Sequence, residues 1–105
     1  MEMQVATDQN FEQLLKDHPR VIVKYYADWC GACKMLAPKY KRIAAEEANA
    51  NVLFLDINAE HNESARKLAG VSNLPFLAAF KNGALVEGAA ASKEEYLRKL
   101  IDLTA

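Results

Sequence analysis

Several protein classes are excluded by what this 105-residue chain has little of. It has two cysteines, too few for the disulfide framework of a small secreted domain. No apolar run approaches the roughly 18 to 20 residues that a membrane-crossing helix needs. The opening Met1-Glu2-Met3-Gln4 lacks the charged and apolar regions of a secretion signal, which sets the expectation of a cytoplasmic protein. Thirteen basic and 14 acidic residues leave a formal net charge of -1, with no positive surplus to bind nucleic acid or an anionic membrane. Internal repeats, low-complexity tracts and linkers are also missing. What remains is one domain, 1–105, expected to be monomeric and to have proteins or small thiols as partners. Its 51% apolar residues can fill a single core and its 26% charged residues can cover it.

Both cysteines fall in Trp29-Cys30-Gly31-Ala32-Cys33-Lys34, two residues apart and just after the apolar run Val21-Ile22-Val23. In a reducing compartment such a pair is catalytic or metal-binding. A metal site needs further ligands, and the two histidines, His18 and His61, lie in separate polar segments, so no metal ligands are assigned. A motif between a strand and a helix puts Cys30 at a helix N-terminus, where free N–H groups and the helix dipole favour a thiolate. Cys33, one turn further in, is expected to be more buried and less acidic. The roles follow: Cys30 attacks a substrate disulfide and Cys33 resolves the mixed disulfide. Gly31 leaves room for a partner's backbone, and Trp29 offers a flat apolar wall beside the sulfur.

The rest of the chain reads as alternating elements. Met3-Gln4-Val5-Ala6 suits a short edge strand, and Thr7-Asp8 offers N-cap oxygens to a helix carrying Phe11, Leu14 and Leu15. Val21 to Tyr26 is a buried strand interrupted by one Lys, Lys24. A helix then runs from the cysteines to about Ala48, kinked at Pro38, with Met35, Leu36, Tyr40, Ile43 and Ala44 on its apolar side. Val52 to Ile57 is a second buried strand. Asn58 to Ala69 passes from loop to helix and closes on Gly70. Asn82-Gly83 between apolar runs signals a hairpin. Ser92-Lys93-Glu94-Glu95 has the form of a capping box before a final amphipathic helix. The expected class is α/β, a mixed sheet of about five strands between about four helices.

Ala27 to Lys34, Pro38 five residues after the second cysteine, Leu74-Pro75-Phe76 before a strand, and Phe80-Lys81-Asn82-Gly83 together resemble the thioredoxin family over essentially the whole chain. The resemblance implies the thioredoxin fold, reduction of protein disulfides, no bound cofactor beyond the Cys30–Cys33 disulfide, and electrons from an external thioredoxin reductase-type donor. It also implies a cis proline at Pro75 facing the disulfide, and substrate contacts from Trp29, Gly31, Ala32, Leu74, Pro75, Phe76, Gly88 and Ala89. Net oxidation or isomerisation, or a redox-independent binding module, are the alternatives.

Four departures matter. Ala32 replaces the usual proline between the cysteines, which predicts a potential more oxidising than the roughly -270 mV of thioredoxin. Lys24 occupies the place of the family's buried aspartate, and Phe54 that of its frequent lysine partner. A buried ammonium needs a partner, and Asp56, two residues past Phe54 and on the same strand face, is the candidate. The resulting pair, of reversed polarity, is expected to tune the cysteine pKa values. Phe76 replaces the commoner threonine and predicts a greasier substrate groove. Ala89-Ala90-Ala91 lies where the family has a glycine facing the substrate, a role that Gly88 could take over.

Overall fold

The computed structural model describes residues 3–105; Met1 and Glu2, the start of the expected domain, lie outside the described residues. The elements run β1 (Gln4–Val5), α1 (Phe11–Asp17), β2 (Arg20–Tyr26), α2 (Gly31–Ala44), a short 3-10 turn (Glu47–Asn49), β3 (Leu53–Asn58), α3 (Glu63–Ala69), β4 (Phe76–Lys81), β5 (Ala84–Ala90) and α4 (Glu94–Leu103). Among the described residues this gives the expected α/β arrangement of one five-stranded mixed sheet and four α-helices.

Strand order is β1-β3-β2-β4-β5. β1, β3 and β2 run parallel, as crossover helices require, while β4 and β5 are antiparallel. The two-residue loop of the β4–β5 hairpin holds Asn82 at φ 51° and Gly83 at φ 84°, the left-handed conformations that Asn-Gly supplies at low cost. β2 lies at the centre and is buried at Val21 through Tyr25, which explains its nearly unbroken apolar run.

Alternation along β2 and β3 divides the core. Val21, Val23, Tyr25, Leu53, Leu55 and Ile57 pack with Phe11 and Leu15 of α1 and Ala65 and Ala69 of α3. Ile22, Phe54, Leu77 and Ala79 pack on the other face against Leu36, Tyr40 and Ile43 of α2 and Leu97, Leu100 and Ile101 of α4. Lys24 and Asp56 continue that second face toward the cysteine end.

Local capping departs from the sequence reading in three places. Thr7-Asp8 does not cap α1, whose N-cap is Asn10 without a side-chain bond. The Asp8 carboxylate instead accepts the N–H groups of Ser64 (3.2 Å) and Ala65 (2.8 Å), so it caps α3. The Ser92 to Glu95 capping box does not form: the N-cap of α4 is Lys93, one residue later than the box requires, and it makes no side-chain capping bond, while Glu94 pairs with Arg42 (2.8 Å) and Arg98 (3.1 Å). Finally, α2 stops at Ala44 rather than near Ala48. The buried Asn49 amide donates to the Ile43 carbonyl at 2.9 Å, and Glu46 turns out to Arg98, satisfying the end of the helix early. Met35, expected on the apolar side of α2, is 77% exposed.

Candidate active site

Cys30 follows β2 and is the N-cap of α2, in an extended conformation at φ -86°, ψ 104°. Its sulfur accepts the Cys33 N–H at 3.1 Å, performing the capping that a Ser or Asp oxygen usually performs. The first turn, Gly31-Ala32-Cys33-Lys34, carries no carboxylate, so the positive end of the helix is left to sulfur. Cys30 and Cys33 are joined in a disulfide with Cα atoms 5.2 Å apart. The expected difference in burial is not found: Cys30 is 4% exposed and Cys33 3%. Ala27, Tyr26 and Leu74 pack with the pair, and both sulfurs' residues are buried.

Around the disulfide, Gly31 and Ala32 are exposed and Trp29 is 67% exposed. The Trp29 indole N–H donates to the Glu60 carboxylate at 2.8 Å, and the Glu60 backbone N–H is held by the Asn58 side chain at 3.0 Å. Sequence reasoning missed Glu60, since no local spacing connects positions 29 and 60; the turn chemistry of Asn58-Ala59-Glu60 was the one available signal. The Leu74–Pro75 bond is cis, as the resemblance implied. Pro75 is buried, and its carbonyl accepts the Ala91 N–H at 3.1 Å, tying the proline loop to the end of β5.

The substrate-contact set divides. Trp29, Gly31, Ala32 and half-buried Leu74 stand around the cysteines. Phe76 does not make the groove greasier: its ring is 5% exposed and packs edge-on against Tyr25 at 6.1 Å, in the core. Strand alternation from Pro75 turns it to the α1/α3 face. Gly88 lies against that ring, where an added Cβ would come within 2.8 Å of Phe76 Cε1. Ala89 is half-buried opposite Leu77.

Beneath the disulfide, Lys24 and Asp56 are direct register partners, with Nζ 3.3 Å from Oδ1. The pairing anticipated from the sequence is therefore present. Lys24 is buried, its ammonium 5.2 Å from the centre of the Tyr40 ring and 5.8 Å from that of Tyr26. The two charges are close but poorly aligned: Asp56 Oδ1 is buried without a well-oriented hydrogen bond among the described residues. Burial pushes the Asp56 carboxyl above its usual range, and the Lys24 charge only partly opposes this. Tyr40, whose hydroxyl lies 2.7 Å from the Leu55 carbonyl, is kept neutral by burial.

A cleft of about 460 Å³ joins this pair to the active site, lined by Lys24, Asp56, Tyr26, Cys33 and Ala37, with Asp28 and Lys34 at its edge. A larger depression of about 530 Å³ lies beyond Glu60, against Arg66, Lys67 and Val71, and neither cysteine lines it. No cluster of three or more His, Cys, Asp or Glu side chains that could hold a metal exists among the described residues.

A disulfide at a helix N-terminus, beside a cis-proline loop on a five-stranded sheet, defines a thiol-disulfide exchange domain. The family model for Thioredoxin matches residues 2–103. The chain is 37% identical over 100 residues to the thioredoxin of Chlamydia muridarum, covering 94% of this chain and 95% of that protein. It is 33% identical over 102 residues to protein disulfide isomerase-like 1-2 of Oryza sativa subsp. japonica, covering 88% of this chain but 20% of that much longer protein. Among solved structures, the short form of thioredoxin f from spinach chloroplast superposes with a TM-score of 0.89 at 24% identity, over 98% of this chain and 93% of that one. The protein belongs to the thioredoxin family and is a thiol-disulfide oxidoreductase.

Proposed function

We propose that this domain is a net reductant of protein disulfides, with Cys30 as the attacking thiol and Cys33 as the resolving thiol. The observation that carries the assignment is the hydrogen bond from the Cys33 N–H to the Cys30 sulfur. A bond aimed at one sulfur from a helix N-terminus stabilises the thiolate there. In the reduced protein the Cys30 thiolate attacks a substrate sulfur, a Cys30–substrate disulfide forms, and the second substrate sulfur leaves as a thiolate. The Cys33 thiolate then attacks Cys30, the first substrate sulfur leaves, and the Cys30–Cys33 disulfide closes. Two electrons pass to the substrate, and an external thioredoxin reductase-type donor restores the dithiol in a reducing compartment such as the cytoplasm.

Similarity to a free-standing thioredoxin along nearly its whole length supports the reductase reading. The isomerase relatives, together with Ala32 between the cysteines, support the second reading, net oxidation or isomerisation. A redox titration decides. A potential between about -270 and -230 mV fits a reductase, whereas a value near -180 mV or above assigns the second reading. Replacing both cysteines with serine should abolish reduction of a protein disulfide; a biological role that survives the replacement would indicate a binding module.

A further inference from the structure

Elsewhere in this chain the helices answer their own charges. Glu63 pairs with Lys67 along α3, Glu94 with Arg98 along α4, and Arg42, near the end of α2, with Glu46 and Glu94. The other cations of α2 are left unanswered. Lys34, Lys39 and Lys41 are exposed, and no position three or four residues from any of them holds a carboxylate. None of the three ammonium groups has an ion-pair partner among the described residues. From Gly31 to Ala44 every charge is positive, in a chain whose net charge is -1. A merely solvated helix face mixes signs and gains from pairs one turn apart. This face forgoes those pairs and puts Lys34 in the first turn, where the helix dipole opposes a cation.

The unanswered face begins at the disulfide. Lys34 lines the same cleft as Cys33. Lys34 and Lys41 lie in one row along the helix, and Gly31, Met35 and Lys39 form the next, so Lys39 and Lys41 stand roughly 8 to 11 Å beyond Lys34 along the axis. Exposed Trp29 and Met35 supply apolar surface at the head of the face. Across Trp29 the sign reverses, with Glu60 on the indole N–H and Glu63 opening α3. An apolar centre beside the cysteines is thus flanked by cations on one side and carboxylates on the other, the anatomy of an interface core with a charged rim.

We infer that the exposed face of α2 docks disulfide-bearing proteins whose disulfide is flanked by acidic residues, their carboxylates lying along Lys34, Lys39 and Lys41 while their sulfur meets Cys30. This rests on the reading of the domain as a reductant of protein disulfides and names which of them it prefers. Continuity with the disulfide selects the occupant, since a nucleic acid or a lipid surface brings no disulfide to the cysteines. Rim charges act chiefly on encounter: an exposed pair adds little to final affinity but speeds productive approach. The preference therefore shows in the second-order rate constant and fades as salt shortens the reach of the charges.

The test uses the reduced full-length chain and three synthetic peptides, each closed by one disulfide and differing only in its flanking residues, all Glu, all Gln or all Lys. Each rate constant is divided by that of dithiothreitol on the same peptide. At about 10 mM ionic strength the Glu peptide should be reduced about tenfold faster than the Lys peptide, and at about 0.5 M the two should agree within about twofold. Lys39→Glu/Lys41→Glu should reverse the order at low salt, and the milder Lys39→Gln/Lys41→Gln should narrow it to about threefold. Because ratios between peptides are read, any change in the Cys30 thiolate cancels. A preference that ignores salt, or that survives both double variants, overturns the inference. So does retention of the wild type on phosphatidylserine vesicles or duplex DNA at low salt with no order among the peptides, which would assign the face to a lipid surface or a nucleic acid. If the reduced protein opens none of the peptides, the reductant reading falls and this inference with it. If it opens all three at one rate, the inference falls alone.

Discussion

Helices α2 and α3 begin with the same electrostatic resource, a turn of N–H groups without intrahelical partners, and use it in opposite ways. At α3 the Asp8 carboxylate arrives from the loop before α1 and accepts two of those N–H groups, while Glu63 adds a second negative charge to the first turn. The positive end is answered by permanent negative charge, and the result is structural: the N-terminal loop is fixed to a helix far along the chain. At α2 the cap is Cys30 itself and the first turn has no carboxylate. There the helix end is answered only by a sulfur, and the answer improves when that sulfur carries a charge. A helix N-terminus thus stabilises a fold or a reactive group according to whether the partner supplied is permanently charged or becomes charged during reaction.

The comparison can be broken at either helix. The largest effect is expected at α3: Asp8→Ala should cost about 1 kcal/mol, as removal of an N-cap commonly does, lowering Tm by roughly 4–8 °C for a domain of this size. Calorimetry reads the loss, and thiol titration of the same variant should leave Cys30 where it was. A shift in Cys30 would mean that the two helix ends are not independent. A smaller effect is expected from moving a carboxylate to the other helix. Ala32→Glu should raise the Cys30 pKa and Ala32→Lys should lower it, each by the equivalent of about 0.3–1 kcal/mol, or roughly a two- to fivefold change in thiolate near neutral pH. Alkylation rates against pH would show both, and equal shifts of the same sign would remove local charge as the cause.

The smallest effect belongs to α4, whose N-cap makes no side-chain bond and whose first turn carries Glu94 paired with two arginines. Hydrogen bonds from Arg42 and Arg98 hold the Glu94 carboxyl below its ordinary 4.5. Its folded value therefore lies beneath its unfolded one, so the stability it contributes is present above about pH 4.5 and is lost as pH falls through the lowered value. Since the group is partly open to solvent, salt should weaken the contribution as well. The gap in Tm between wild type and Glu94→Gln should close on acidification and narrow with added salt.

Patterns fixed by neighbours in the chain were legible. The cysteine spacing, the Asn82-Gly83 loop and the left-handed Gly70 after α3 each depend on a few consecutive residues and read correctly. The Lys24–Asp56 pair was legible for another reason: a lone cation in a buried strand demands a partner, and the period of two limits where it can stand. Asp8 was misread because a carboxylate before a helix caps whichever N-terminus the fold brings nearest, and the chain order does not say which. The Ser92 to Glu95 box was misread because α4 starts one residue later than that motif requires, with Lys93 as its N-cap. Glu60 beside Trp29, and the equal burial of the two sulfurs, arise from loops packing across the sheet end, which no local spacing records.

Gly88 and Phe76 behave as one variable in any reshaping of this protein. The ring of Phe76 occupies the volume where a β-carbon at position 88 would lie, so position 88 cannot gain a side chain while the ring stays in place. Trimming the ring would release position 88, and enlarging position 88 would displace the ring. Drift or deliberate redesign at the end of the sheet beside the disulfide must therefore change the two positions together or leave both alone.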